Sequence, residues 1–135
     1  MLRLALPAYK QMIGHCYDGL PLEACGLLAG HADTGKAEVF YPCRNEAQSA
    51  KLYRIGLDYA RAEDDADQRG LQIIGVVHSH THTDPYPSPT DIENAAVDAG
   101  LHYVIVSLRD EAPMARSYRI VDGTVAEESL GVEGR

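Results

Sequence analysis

Leu2, Leu4 and Leu6 alternate with other residues at the head of the chain, the period of a half-buried strand. Pro7 suits the first turn of a helix, and Tyr9, Met12, Ile13 and Cys16 then share one helical stripe until Gly19. Residues 22–30 form a short apolar run bounded by glycine, which predicts a buried strand with Glu23 at its mouth. Residues 36–41 and 51–55 predict further strands, with a polar connection over 42–49. From 57 to 69 the chain turns acidic and alanine-rich, a solvated helix that Gly70 closes. Residues 71–77 are a β-branched central strand that delivers His78-Ser79-His80 at its C-terminal end. Beyond a loop of threonine and proline, Ile92, Ala95, Ala96 and Ala99 repeat at helical spacing as far as Gly100. Residues 103–108 predict another buried strand, and 116–121 with 124–128 a closing hairpin around Asp122-Gly123.

Strands and helices mix here without strict alternation, so the pattern predicts a single mixed β-sheet flanked by helices, an α/β or α+β class. At 135 residues and 45% hydrophobic content, one domain over 1–135 can build a core without a metal or disulfide staple. A metal would therefore serve chemistry. Twelve basic against twenty acidic residues leave a net charge of -8, which repels a phosphate backbone and argues against nucleic acid as a partner. The three cysteines, Cys16, Cys25 and Cys43, form no CxxC pair and write neither a disulfide framework nor a zinc ribbon, as expected in a reducing, cytoplasmic compartment. Pro7 interrupts the opening apolar residues before a secretory segment accumulates, and no run reaches membrane-spanning length.

The chemistry concentrates in HSHTHTDPYPSPTD, residues 78–91. His78 and His80 stand two apart on an extended segment, so both side chains point to one side, as two ligands of one ion must. Zinc accepts such a pair, and a carboxylate as third ligand, which Asp91 can supply, leaves a fourth tetrahedral position open. An HxH pair alone is also common among surface and core histidines. Ser88-Pro89-Thr90-Asp91 is equally a well-formed helix start, a capping-box pattern with proline in the first turn. The two readings of Asp91 are compatible, because a helix N-terminus can hold a ligand rigidly.

The joint pattern of Glu23, His78-Ser79-His80, seven residues to Ser88 and two more to Asp91 resembles the JAMM motif of the Mov34/MPN/PAD-1 metalloprotease family. The resemblance extends over the leading helix, the run over 23–30, Asn45 in the polar connection and Gly75-Val76-Val77 before the histidines. It implies a cytidine-deaminase-like fold and a zinc hydrolase of amide or isopeptide bonds, with one Zn2+ per chain. It implies His78, His80 and Asp91 as zinc ligands, Glu23 as the general base and Ser88 as the donor that stabilises the oxyanion. Inactive scaffold members lack ligands; none is missing here. Thr81 and His82 stand where many members carry proline, and His82 reads as a loop histidine near the cleft.

HSHTHT with YPSPTD is most similar to the compact bacterial branch that processes sulfur-carrier proteins. That similarity implies as partner a ubiquitin-like or sulfur-carrier protein with a C-terminal Gly-Gly tail, and cysteine as one leaving group. An exposed strand edge beside the zinc would hold such a tail. Three other readings are weaker. The RadC branch shares the metal pattern, but the acidic charge and the absence of a helix-hairpin-helix segment count against it. A noncatalytic interaction scaffold would not need the full ligand set. A nucleoside deaminase would need PCxxC, whereas Pro42-Cys43 is followed by Arg44-Asn45-Glu46. His15, His31 and His102 read as ordinary fold histidines and Cys25 as a buried structural cysteine. Ser79 is suited to hydrogen-bond behind the ligands, and Tyr53 and Arg54 are candidate contacts for a substrate tail.

Overall fold

Strand β1 (Leu2–Ala5) buries Leu2 and Leu4 completely and runs straight into helix α1 (Leu6–Asp18), which has proline in its first turn. The computed structural model describes residues 1–95 and 100–134. Ala8, Met12 and Cys16 form the buried stripe of α1, and the Gly19 N–H closes its last turn on the His15 carbonyl at 3.1 Å. Burying a side chain such as Met12 contributes roughly 1.5–3 kcal/mol. The chain continues through β2 (Cys25–His31), β3 (Lys36–Cys43), α2 (Asp58–Gln68), β4 (Gln72–His80), α3 (Pro89–Asn94), β5 (His102–Ser107), β6 (Met114–Val121), β7 (Thr124–Glu128) and β8 (Leu130–Glu133). No helix among the described residues is long and apolar enough to cross a membrane.

One mixed sheet joins all eight strands in the order β7-β6-β5-β4-β2-β3-β1-β8. The β1–β3, β1–β8 and β4–β5 pairs are parallel and the others antiparallel. The end strands β7 and β8 are separated in sequence by Ser129 alone, so the sheet must coil until its two edges nearly meet. Its central strands are covered on both faces. Leu28, Val77, Val104 and Val106 pack with α1 on one side, and Leu27, Val76, Ile105 and Tyr118 pack with Ala62 of α2 on the other. Two-sided burial explains why β2, β4 and β5 read as continuous apolar runs rather than alternating ones. It also sorts the motif by face: His78 and His80 share the side of Val76, and Ser79 that of Val77. Gly26 permits the packing beside Cys25, because a Cβ there would lie 2.4 Å from the Phe40 ring.

The fold is the mixed sheet flanked by helices that the pattern implies, with several local corrections. Residues 51–55 form no strand and join none of the sheet's ladders. The Asn45 side chain takes over the pairing there: Oδ1 accepts from Arg54 N at 3.1 Å, and Nδ2 donates to Leu52 O at 3.0 Å. Helix α3 stops at Asn94, before an extended Ala95, short of the expected Gly100; Ala96 and Ala99 lie outside the described residues. Strand β8 has no forerunner in the pattern and exists because β1 offers it an open parallel edge. Among the described residues the open edge expected beside the metal ligands is not found: β4 lies between β2 and β5, and the edge strands of the sheet are β7 and β8. The hairpin turn is as expected, with Asp122 and Gly123 both left-handed at φ 49° and 79°.

Candidate metal centre

His78 and His80 end β4, and Asp91 stands in the first turn of α3. Their donor atoms form a nearly equilateral triangle: His78 Nε2 to His80 Nε2 is 3.2 Å, and each of these nitrogens is 3.1 Å from Asp91 Oδ2. A tetrahedral ion with bonds of about 2.0 Å needs ligand–ligand edges of about 3.3 Å. All three residues are buried, and among the described residues they are the group of three or more potential ligands that converges.

The hydrogen bond at His80 Nδ1 says which of its ring nitrogens is turned to the triangle. Its Nδ1 donates to the Asp84 carbonyl at 2.7 Å, so in the neutral ring Nε2 carries a lone pair. That lone pair faces a carboxylate oxygen and a second imidazole nitrogen. With His78 Nε2 also in its lone-pair form, the two imidazoles and the carboxylate would offer three ligand atoms to one cation, and this donor set fits a divalent metal. Burial favours a neutral Asp91, but the contacts of its carboxyl with His78 and His80 outweigh it and hold the group well below its usual range. Burial also keeps His78 neutral despite Asp91. The Tyr53 ring stacks on His78 with centroids 4.3 Å apart and planes 19° from parallel, which fixes the plane of that ligand.

Glu23 lies just before β2, and its backbone is held at both ends. Glu23 N donates to Ser49 O at 2.8 Å, and Asn45 Nδ2 donates to Glu23 O at 2.9 Å. The side chain is buried, and Oε1 has no hydrogen-bond partner among the described residues. Burial pushes this carboxyl up to about 8; the charge of nearby His80 opposes the shift and that of Asp91 adds to it. A buried carboxyl with a free oxygen and a raised pKa, beside a metal-type triad, has the properties of a general base.

Ser88 is the N-cap of α3, with a complete capping box: Asp91 N donates to Ser88 Oγ at 3.1 Å, and Ser88 N to Asp91 Oδ2 at 2.9 Å. The helix-start reading is therefore observed. It leaves the serine proton unspent, because Oγ serves the cap as an acceptor. The same Oδ2 closes the box and faces both histidines, so the cap sets the angle of the third ligand.

The other sequence expectations divide. Ser79 is fully buried and accepts from Ala24 N at 2.8 Å. Tyr53 contacts a ligand ring from behind, a role not visible in its neighbours in sequence. Arg54 is exposed and its guanidinium reaches Glu46 O at 3.5 Å. His82 is exposed, within 2.9 Å of Thr81 Oγ1, and stands apart from the triad. Cys16, Cys25 and Cys43 are free and buried, with thiols pushed up to about 12 by burial. His102 lies against Glu128 at 2.6 Å, and His31 pairs with Glu38 on the surface.

Residues 6–121 match the family described as prokaryotic homologs of the JAB domain. The chain is 42% identical over 126 residues to the CysO-cysteine peptidase of Mycobacterium tuberculosis, covering 90% of this chain and 84% of that protein. It is 32% identical over 112 residues to the desampylase of Haloferax volcanii, covering 78% of this chain and 80% of that one. A solution structure of a Desulfitobacterium hafniense protein, 32% identical, superposes with a TM-score of 0.87 over all of this chain and 94% of that one.

Proposed function

Because this chain belongs to the prokaryotic branch of the JAB-domain family, we propose that it is a zinc-dependent peptidase that cuts the amide bond after the C-terminal Gly-Gly of a ubiquitin-like or sulfur-carrier protein, with cysteine as a leaving group. The observation that carries this reading is the triangle of His78 Nε2, His80 Nε2 and Asp91 Oδ2 with the buried, unpartnered Oε1 of Glu23 beside it. The likeness to a CysO-cysteine peptidase and a desampylase supports the substrate class. Two imidazoles, one carboxylate and no thiolate are the ligand set of a catalytic zinc rather than a structural one.

His78, His80 and Asp91 would hold the ion. When bound, zinc acts as a Lewis acid that makes water a nucleophile at neutral pH and polarises the scissile carbonyl. Glu23 takes the proton from the attacking water and returns it to the leaving amine, as its buried, unpartnered oxygen allows. Ser88 keeps its cap through a lone pair of Oγ and turns its proton to the oxyanion. Tyr53 and the Asn45-laced segment around it shield the ligand side from water.

The test uses zinc-loaded protein and a carrier ending in Gly-Gly extended by one cysteine. Mass spectrometry should show the carrier shortened by that residue, together with free cysteine. A carrier left intact while zinc is bound overturns the substrate. Metal analysis should give one zinc per chain and little in His78→Ala or Asp91→Ala; full retention in both overturns the metal centre.

A further inference from the structure

The loop after β4 is held at three consecutive residues by side chains from β5, β6 and the turn between them. Ser107 Oγ donates to Thr83 O at 2.6 Å, Arg109 ion-pairs with the Asp84 carboxylate, and the Tyr118 hydroxyl donates to Pro85 O. The carbonyl of the middle residue, Asp84, is the acceptor for His80 Nδ1. Ser107 is also the register partner of His80, and Leu108 N donates to His80 O at 3.0 Å.

Within the loop itself Asp84 O also accepts from Tyr86 N at 2.8 Å, and Thr81 Oγ1 at its start donates to Ala50 O at 3.3 Å. His82, Thr83 and Asp84 are exposed, whereas Ser107 and Tyr118 are 3% and 2% exposed. A carbonyl in an exposed loop is free to turn to water. Here the carbonyls on either side of Asp84 are bonded to buried hydroxyls, so the peptides flanking Asp84 O are fixed. The surface pair of Arg109 and Asp84 adds little, because exposed ion pairs are weak.

We propose that Ser107 and Tyr118 are positioning residues for the metal ligand His80: they hold the Asp84 carbonyl where an Nδ1–H imidazole fits, and so aim the Nε2 lone pair at the centre of the triangle. This rests on the metal reading above. The hydrogen bond at one ring nitrogen decides which nitrogen is left for the metal, and loss of such an outer partner typically weakens metal binding roughly 10–100-fold. Without the clamp the ring is free to carry its proton on Nε2, where it blocks coordination.

The experiment compares the wild type with Ser107→Ala, Tyr118→Phe and the double variant. Tyr118→Phe keeps the ring that packs edge-on against Tyr86. Zinc affinity is measured by competition with a chromophoric chelator, and the His80 Nδ1–H is followed directly by ¹⁵N–¹H NMR. The double variant should bind zinc at least tenfold more weakly, with the Nδ1–H signal lost or exchanging fast, while Arg109→Ala changes affinity less than threefold. Affinity within twofold of wild type with the Nδ1–H intact overturns the proposal, even if the melting temperature falls. Should the wild type bind no zinc, the metal reading fails by itself, and the Nδ1–H in the unloaded proteins still decides whether the clamp sets the ring.

Discussion

Ser79 and Ala24 are bonded twice across 55 positions of sequence: Ala24 N donates to Ser79 Oγ at 2.8 Å, and Ser79 N donates to Ala24 O at 2.9 Å. Ser79 stands between the two histidines and Ala24 directly follows Glu23. The pair therefore fixes the distance between the base and the metal ligands.

Removing that hydroxyl leaves a buried backbone donor without an acceptor, which costs about 1–3 kcal/mol. Ser79→Ala should lower the denaturant midpoint by a corresponding amount and slow turnover, while keeping zinc. A midpoint equal to that of the wild type would show that Ala24 N finds another partner.

Glu23→Gln should keep the zinc and lose turnover by about 10²–10⁴-fold, the usual range for a general base. A stability signature accompanies it. The folded-state carboxyl is raised from 4.5 to about 8, so its neutral form is favoured in the fold and its contribution is fully present below pH 4.5. That contribution is lost as pH rises toward 8. In chelator, the unfolding midpoint of Glu23→Gln should therefore gain on the wild type between these two values. Parallel curves would contradict the buried placement of the carboxyl.

Ser88→Ala removes both a cap and an oxyanion donor. The cap is worth about 1 kcal/mol, and loss of one oxyanion donor lowers kcat by roughly 10²–10³. Kinetics and thermal melting on the same sample separate the two roles. A drop in stability with kcat unchanged would reduce Ser88 to a helix cap.

Acid should destabilise the protein through His102 and Glu128. Burial holds His102 below its ordinary 6.5 despite the pull of Glu128. For Glu128, burial is outweighed by hydrogen bonds from His102, the N-terminal ammonium and Ser117, which hold it below 4.5. Both shifts are downward, so both groups stabilise the fold at neutral pH. The His102 part fades as pH falls below 6.5, and the Glu128 part fades below 4.5. Melting temperatures across this range should fall toward acid, and less steeply below pH 4.5 in Glu128→Gln. Equal slopes there would remove Glu128 from the account.

What the sequence determined by itself is what local geometry can fix. Two residues apart on a strand means one face, so HSH places two imidazoles together whatever surrounds them. Ser88-Pro89-Thr90-Asp91 specifies a capped helix start because the cap bonds run within three residues, and that alone orients Asp91. The hairpin at Asp122-Gly123 is legible for the same reason, since few residues accept positive φ.

Tertiary structure decided whatever depends on a partner distant in the chain. Residues 51–55 carry strand-like residues, yet a strand exists only where a neighbour offers an edge, and the amide of Asn45 occupies that place. Residues 130–133 carry a weak pattern and are a strand because β1 has a free side. Glu23 stands beside the triad because β2 pairs with β4 and Ser79 reaches Ala24. Tyr53 came to lie on His78, and Ser107 and Tyr118 beneath the Asp84 loop, through chain crossings that leave no spacing to read. Periodicity encodes which way a side chain points; what it meets there is settled by how the sheet coils and packs.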